Sequence, residues 1–313
     1  MKQEYTAENM QALDDISHIR LRYGMYVGSV DDPTHIVIEI LANAIDEANL
    51  GYGNTINIEV KKDGYITVTD QGRGIPHGKD SDGDYILRSV YDKLHMGGKF
   101  DTKAYANSLG QNSVGAKATN ALSEHLTATS IRDGIAETVT FKQGRFIDFK
   151  SVKSTAHSGT IVTFKPDGEI FKDIHLDLPK FKNLLQQLSY LIKGVSFVLK
   201  TENTTNTYLS QNGMKDYMDF LCSSKVEMVK SRAYKDVKDG NNEIEIYLTY
   251  TDDNSETIKL FANNGENDSG THLTAFKSAM TRTVNKYARE VGLLKDSDDN
   301  LSGKELENGR LLI

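Results

Sequence analysis

Residues 33–50 constrain this chain most, because they read as one amphipathic helix. Asp32 is placed to cap it and Pro33 to occupy its first turn, and Gly51 and Gly53 end it. With Glu39 as the angular origin and about 100° per residue, His35 falls at about −40°, Asp46 at about −20°, Asn43 at about +40° and Glu47 at about +80°. These five polar residues share one stripe, and Val37, Leu41, Ala44, Ile45 and Ala48 lie opposite. A merely solvated face mixes both signs of charge. This one holds an amide, three acids and a histidine but no Lys or Arg, which suits a cation or a polar ligand.

The helix runs into alternating segments at 55–61 and 65–70, read as strands. In Tyr65-Ile-Thr-Val-Thr-Asp70, Asp70 has the parity of Ile66 and Val68 and is aimed at the core side of a strand end. A carboxylate there needs donors to meet it. Gly72 and Gly74 follow, permitting a tight turn and the close approach of a ligand. Further on come a helix at 84–95, a glycine-punctuated stretch at 97–115 and a helix at 114–124. Strands at 126–132, 136–142 and 159–165 belong to a mainly antiparallel sheet. A helix at 178–193 and a strand at 195–201 complete this part.

The polar stretch at 201–207 is the expected boundary, dividing the chain into 1–205 and 206–313. Beyond it, helices are expected at 213–222 and 271–290 and strands at 243–250 and 256–262. Asp296-Ser-Asp298 reads as a solvated acidic loop. The run Leu311-Leu312-Ile313 ends the chain where a strand should begin, so a longer parent protein is expected.

Composition excludes several classes. The chain has 313 residues and a formal charge of −7, so a sequence-independent DNA clamp built on overall positive charge is excluded. One cysteine, Cys222, excludes a disulfide framework and a cysteine zinc site. No apolar run approaches the roughly 18 residues of a membrane span. Met1-Lys-Gln-Glu-Tyr5 does not open a secretory signal, so a cytoplasmic setting without membrane contact is expected. The standard nucleotide motifs are near misses. Gly110-x-x-x-x-Gly115 is followed by Ala-Lys-Ala, not by the Lys-Ser/Thr of a Walker loop, and Gly72-x-Gly74-x-x-x-Gly78 lacks the Rossmann spacing.

Together, the acid and amide helix, the Asp70-x-Gly72-x-Gly74 turn, the glycine stretch and Ser158-Gly159-Thr160 resemble the GHKL ATPase superfamily. "RYGMYVGS", "EILANAIDEA", "DQGRGIP", "HMGGKFD" and "NSLGQNSVGAKATNALS" resemble the ATPase region of type IIA DNA topoisomerases, the gyrase B and topoisomerase IV B family. "GTHLTAFKSAMTRTVNKYA" at 270–288 is similar to that family's transducer helix.

The resemblance implies an α+β two-layer sandwich of the GHKL type, followed by a smaller, incomplete α+β transducer domain. It implies ATP and Mg²⁺ as cofactors, an ATP-dependent homodimer, DNA as partner of the full enzyme and a gyrase A-like cleavage subunit. Glu39 would be the general base, supported by His35, and Asn43 the Mg²⁺ ligand. Asp70 would accept from adenine, with Thr160 alongside, and Gly74, Ile75 and Pro76 would line the pocket. Gly98, Lys99 and the backbone of Leu109, Gly110, Gln111, Asn112, Ser113, Val114 and Gly115 would hold the phosphates. Tyr105 would be the lid tyrosine, and Asp46 would belong to the nucleotide-binding set. Arg73 would cover the pocket mouth, Glu47 would pair with Arg132, and Tyr5 would sit in an arm reaching the partner.

There are departures. Tyr23 stands where gyrase B has proline, and the lid sequence is closer to eukaryotic and phage enzymes. The family's transducer lysine lies beyond Ile313. An ATP-dependent conformational clamp of the MutL kind, with little turnover, is the alternative reading.

Overall fold

The computed structural model describes residues 14–94, 114–229, 231–239, 242–253, 256–262, 265–307 and 311–312. The chain divides into two compact units, one ending at Ser210 and the other beginning at Gln211.

The first unit opens with α1 (Asp15–Leu21), α2 (Gly24–Val27) and α3 (Thr34–Asn49). The hairpin β1 (Thr55–Val60) and β2 (Ile66–Thr69) follows, then α4 (Ile86–Asp92) and α5 (Gly115–Ala121). Next come β3 (Ser123–Arg132), β4 (Ile135–Lys142), β5 (Arg145–Lys153), β6 (Gly159–Pro166), α6 (Leu178–Leu191), β7 (Ser196–Lys200) and β8 (Thr205–Tyr208). The eight strands form one sheet in the order β5-β4-β3-β6-β2-β1-β7-β8. Only β1 and β7 pair in parallel, and every other neighbouring pair is antiparallel.

Two layers follow from the alternation along the strands. Ile56 and Ile58, Ile66 and Val68, Leu126 and Ala128, Val139 and Phe141, Val162 and Phe164, and Phe197 and Leu199 are buried and form one core with the helices. The opposite parity carries threonines in register. Thr67 lies across from Thr163 with hydroxyls 3.0 Å apart, and Thr129 from Thr138 at 2.9 Å. β-branched polar residues suit a solvent-facing sheet surface.

Helix α3 lays Val37, Leu41, Ala44 and Ile45 into the core, as its periodicity requires. Its start differs slightly from expectation. Pro33 occupies the cap position, and Asp32 accepts the Thr34 amide at 2.8 Å from one residue further out. Helix α5 is pinned by buried polar side chains. Thr119 Oγ1 donates to the Ile36 carbonyl at 3.0 Å, and Asn120 Nδ2 to the Tyr91 carbonyl at 3.0 Å. These bonds fix α5 against α3 and α4.

Strands β5 and β8 were not anticipated. Strand β8 lies just past the expected boundary at 205. It pairs 205–208 with 197–200 and so belongs to the first sheet.

In the second unit, α7 (Met214–Cys222) precedes the antiparallel pair β9 (Ala233–Asp239) and β10 (Asn242–Tyr250), of which only the second strand was expected. The short hairpin β11 (Leu260–Ala262) and β12 (Gly265–Asn267) replaces the longer strand expected at 256–262. Then come α8 (Thr271–Glu290), α9 (Gly303–Glu307) and β13 (Leu311–Leu312), which pairs with β10. Asn285 ties α8 to the segment after it, donating to the Leu301 carbonyl at 2.9 Å and accepting the Leu301 amide at 2.7 Å. Cys222 is buried on α7.

Candidate nucleotide site

The site forms where α3, the turn after β2, and the starts of α5 and β6 converge. Asp70 ends β2 on the core side. Its Oδ1 accepts the Gly72 amide at 2.8 Å and the Thr160 amide at 3.2 Å, while its own amide donates to the Thr160 carbonyl at 3.0 Å. Burial pushes the carboxyl above the usual aspartate range against those two donors, and the nearby Glu47 charge pushes the same way. The result is a desolvated acceptor held in a fixed orientation.

Glycines are required around it. A β-carbon on Gly159 would collide with the Asp70 carbonyl, and one on Gly72 would meet Glu47 Cβ at 2.8 Å. Gly74 has φ of 73° and would meet the Ile131 carbonyl at 2.5 Å. The loop is then tied down. Ser130 Oγ donates to the Ile75 carbonyl at 2.8 Å and Arg132 to the Gly74 carbonyl at 3.3 Å. Ile75 packs on the core and Pro76 is exposed.

Along α3 the expected stripe is present but unevenly exposed: Asn43 is open, Glu39 and Glu47 half-buried, Asp46 buried. Asn43 Nδ2 donates to the Glu39 carbonyl at 3.1 Å. His35 Nδ1 lies 3.8 Å from Glu39 Oε1, close enough for an ion pair but too long for a hydrogen bond. His35 Nδ1 and Thr34 Oγ1 are buried without a hydrogen-bond partner. Opposite Glu39, Val114 and Gly115 open α5.

The expected Glu47–Arg132 pair is corrected. Glu47 pairs with Arg73: Oε1 accepts from Nη2 at 2.7 Å, and Oε2 accepts from Nε and from the Arg73 amide, each at 3.0 Å. Burial opposes ionisation of Glu47, but the Arg73 donors outweigh it and hold the carboxyl below the usual glutamate range. Arg132 approaches the Gly74 carbonyl and, at 3.5 Å, Asp133, and its charge helps lower the Glu47 carboxyl pKa without a direct contact. Arg73, Arg132, Gly72, Tyr52, His157 and Ser158 line a cavity of about 660 Å³ beside the Asp70 turn. Tyr52 was not anticipated, and only its place between Gly51 and Gly53 hinted at it.

The structure therefore brings Asp70, Gly74, Ile75, Pro76 and Thr160 together, and Arg73 with Glu47. It places His35, Glu39, Asn43, Asp46 and Glu47 on one helix. The expectations for Gly98, Lys99, Tyr105, Leu109, Gly110, Gln111, Asn112 and Ser113, and for Tyr5, fall outside the described residues. Lys117, two residues into α5, was given no role and is buried, which lowers its ammonium pKa to about 8 despite Asp92 and Asp15 nearby.

The oxygen donors fit a hard cation. Such an ion takes carbonyl, carboxylate and phosphate oxygens and keeps several waters. Asn43 carries one amide oxygen, and its nitrogen donates to the Glu39 carbonyl. No cluster of three His, Cys, Asp or Glu exists among the described residues.

A layer of helices on a mixed sheet, with a half-buried aspartate at a strand end and an acid–amide helix beside a glycine-led helix, is the ATPase architecture shared by histidine kinases, gyrase B and HSP90. The family model for histidine kinase-, DNA gyrase B- and HSP90-like ATPases matches residues 28–170, and that for DNA gyrase B matches residues 213–313. The chain belongs to the gyrase B and topoisomerase IV B family of ATPase domains.

The DNA topoisomerase 4 B chain of Enterococcus faecalis is 36% identical over 316 residues, which cover 98% of this chain and 46% of that protein. The DNA gyrase B chain of Haloferax volcanii is 36% identical over 318 residues, covering 98% and 50%. The chain thus spans about half the length of the curated relatives it matches. Among solved structures, the 43K ATPase domain of Thermus thermophilus gyrase B, in complex with an aminocoumarin, is 30% identical. It superposes with a TM-score of 0.77 over 95% of this chain and 80% of that one. No helix among the described residues is long and apolar enough to cross a membrane.

In the second unit, Lys277, Arg282, Lys286, Arg289 and Lys304 line a groove of about 890 Å³ on α8 and α9. Arg282 and Lys304 make no ion pair among the described residues. Positive charge is concentrated here in a chain of net −7.

Proposed function

We propose that this chain is the ATP-binding and ATP-hydrolysing gate of a type IIA DNA topoisomerase. The observation that carries the reading is Asp70: a desolvated, acceptor-only carboxylate fixed by two backbone amides beside a glycine turn. An exocyclic amine with a proton to donate is its natural partner. Glu39 orients and deprotonates the attacking water, with His35 Nδ1 3.8 Å from its carboxylate one turn earlier on the helix. Asn43 holds Mg²⁺ by its oxygen, and when bound that ion neutralises charge on the phosphates. Gly115, at the start of α5, lets a phosphate come close to the backbone beside Glu39.

Nucleotide binding drives self-association of two copies. In the full enzyme, the basic groove on α8 meets the DNA segment to be passed, and a gyrase A-like partner cleaves DNA. The deciding experiment is calorimetric titration of Asp70→Asn with a non-hydrolysable ATP analogue. Losing the charge-assisted bond and misplacing a donor should cost about 1.5–3 kcal/mol, roughly tenfold or more in affinity. A folded Asp70→Asn protein with wild-type affinity would sink the assignment.

A further inference from the structure

Arg73 is held from two directions. One edge of its guanidinium lies on Glu47, and its backbone amide lies on the same carboxylate. Its face lies over the ring of Tyr52, with Cζ 4.3 Å from the ring centroid. Tyr52 sits on the turn that ends α3, where its amide donates to the Glu47 carbonyl at 3.0 Å. Gly51 and Gly53, with φ of 85° and 77°, shape that turn. Gly53 is pressed so tightly on Gln71 that a β-carbon would lie 2.7 Å from Gln71 Cβ. The end of α3 and the loop at 71–73 therefore form one wedge, so the backbone that carries the ring is held against the loop that carries the guanidinium.

The cost of immobilising a long arginine normally falls on ligand binding. A side chain held in place beforehand removes that cost. The ring also keeps water from one face of the guanidinium, which strengthens its bond to Glu47. The Arg73 backbone continues from Gly72, whose amide holds Asp70. A loosened Arg73 would thus be felt at the adenine acceptor as well as at the cavity.

We propose that Tyr52 is a positioning residue for nucleotide binding: stacked under Arg73, it holds the Glu47–Arg73 pair and the adjoining Gly72–Gly74 backbone in the binding arrangement. The inference rests on the nucleotide reading of the Asp70 site. Its test is a double-mutant cycle read by calorimetric titration with a non-hydrolysable ATP analogue, with circular dichroism to verify folding.

Tyr52→Ala should weaken binding about two- to fivefold, the range of a partly exposed cation–π contact. Tyr52→Phe keeps the ring face and should bind as the native chain does. In an Arg73→Ala background, itself weaker than native, Tyr52→Ala should add nothing, because Tyr52 acts through Arg73. Tyr52→Leu, which keeps bulk without a π face, replaces Tyr52→Ala if the latter fails to fold. Additive losses, failure of Tyr52→Phe to restore binding, native affinity in Tyr52→Ala or native affinity in Arg73→Ala would each overturn the inference. Asp70→Asn run in parallel separates the two readings. If it weakens binding while Tyr52→Ala does not, only the role of Tyr52 falls. If it leaves affinity unchanged, the pocket assignment falls first.

Discussion

Gly115 opens α5 directly against the side chain of Glu39. A β-carbon there would overlap the carboxylate, lying 2.8 Å from Glu39 Cδ and 2.9 Å from Cβ. The first turn of the glycine-led helix and the candidate base thus share one small space, where, on the proposed function, a phosphate and its attacking water would both have to fit. In Gly115→Ala the carboxylate must move, and because Glu39 Cβ is fixed to the α3 backbone the two helices must also give by a few tenths of an ångström, so circular dichroism verifies folding first.

Hydrolysis should then fall about 10²–10⁴-fold, the range for a positioned general base, as it should in Glu39→Ala. Glu39→Ala should still bind Mg·ATP and self-associate, whereas Asn43→Ala should lose metal-dependent binding and association together. Phosphate release, nucleotide titration and sedimentation on the variants give the comparison, in longer chains if the native rate here is too low to read. Near-native hydrolysis in Glu39→Ala would leave the stripe as a metal and solvent surface only.

If Asp70 accepts from adenine, nucleotide affinity depends on pH. Its free carboxyl titrates above the usual aspartate range because it is buried, and only the ionised form is a pure acceptor. Affinity should therefore decline on acidification before ordinary aspartates titrate. That decline should be absent in Asp70→Asn, whatever its absolute affinity. Titration across the mildly acidic range checks this, and an identical pH profile in both proteins would assign the proton elsewhere.

Why these residues were legible from sequence, and others not, is a matter of periodicity. Glu39, Asn43 and Asp70 lie on strongly alternating or helical segments whose apolar positions fix the direction of each polar one. Strand β5 is an edge strand with Ile147 and Val152 exposed, and β8 is the polar run Thr205–Tyr208. In β5 the register shift opposite Thr140 and Phe141 sets the core-packed Phe146 and Phe149 three positions apart, which breaks the period of two, and β8 gives the core only Tyr208. The Glu47–Arg73 pair spans 26 positions and uses a backbone amide as well as the guanidinium. Residue type alone could not prefer Arg73 to Arg132. Lys117 fails for the same reason, since only packing of α5 against its neighbours buries it.

Lys117 gives a stability prediction with a definite sign. Its folded-state value is lowered to about 8 from 10.5 by burial, partly opposed by Asp92 and Asp15. Below about pH 8 both folded and unfolded chains hold the proton, so this contribution does not change with pH there. Between about 8 and 10.5 the folded chain releases the proton while the unfolded chain keeps it, so this contribution to stability rises with pH. Lys117→Met should thus be more stable than the native chain near neutrality, by about 2–3 kcal/mol if packing is conserved. The difference should shrink as the pH rises towards the unfolded-state value. Urea unfolding at several pH values measures it, and a pH-independent difference would mean that packing, not charge, decides.

The groove on α8 and α9 gives the last prediction. A chain of net charge −7 binds a polyanion only where cations are gathered, and Arg282 is exposed with no ion pair among the described residues. Lys304 lines the same groove. Lys277, by contrast, lies 3.2 Å from Glu256, and Lys286 lies 3.8 Å from Glu290, so part of their charge is already answered. If the groove meets duplex DNA, each cation on a phosphate releases counterions, and removing one should lower the salt slope of binding by about one. Arg282→Ala and Lys304→Ala should each weaken DNA binding independently of sequence, most at low salt. Fluorescence anisotropy with short duplexes over a range of salt, with a non-hydrolysable ATP analogue present, gives the slopes. Slopes equal to that of the native chain in both variants would place the DNA contact on a different surface.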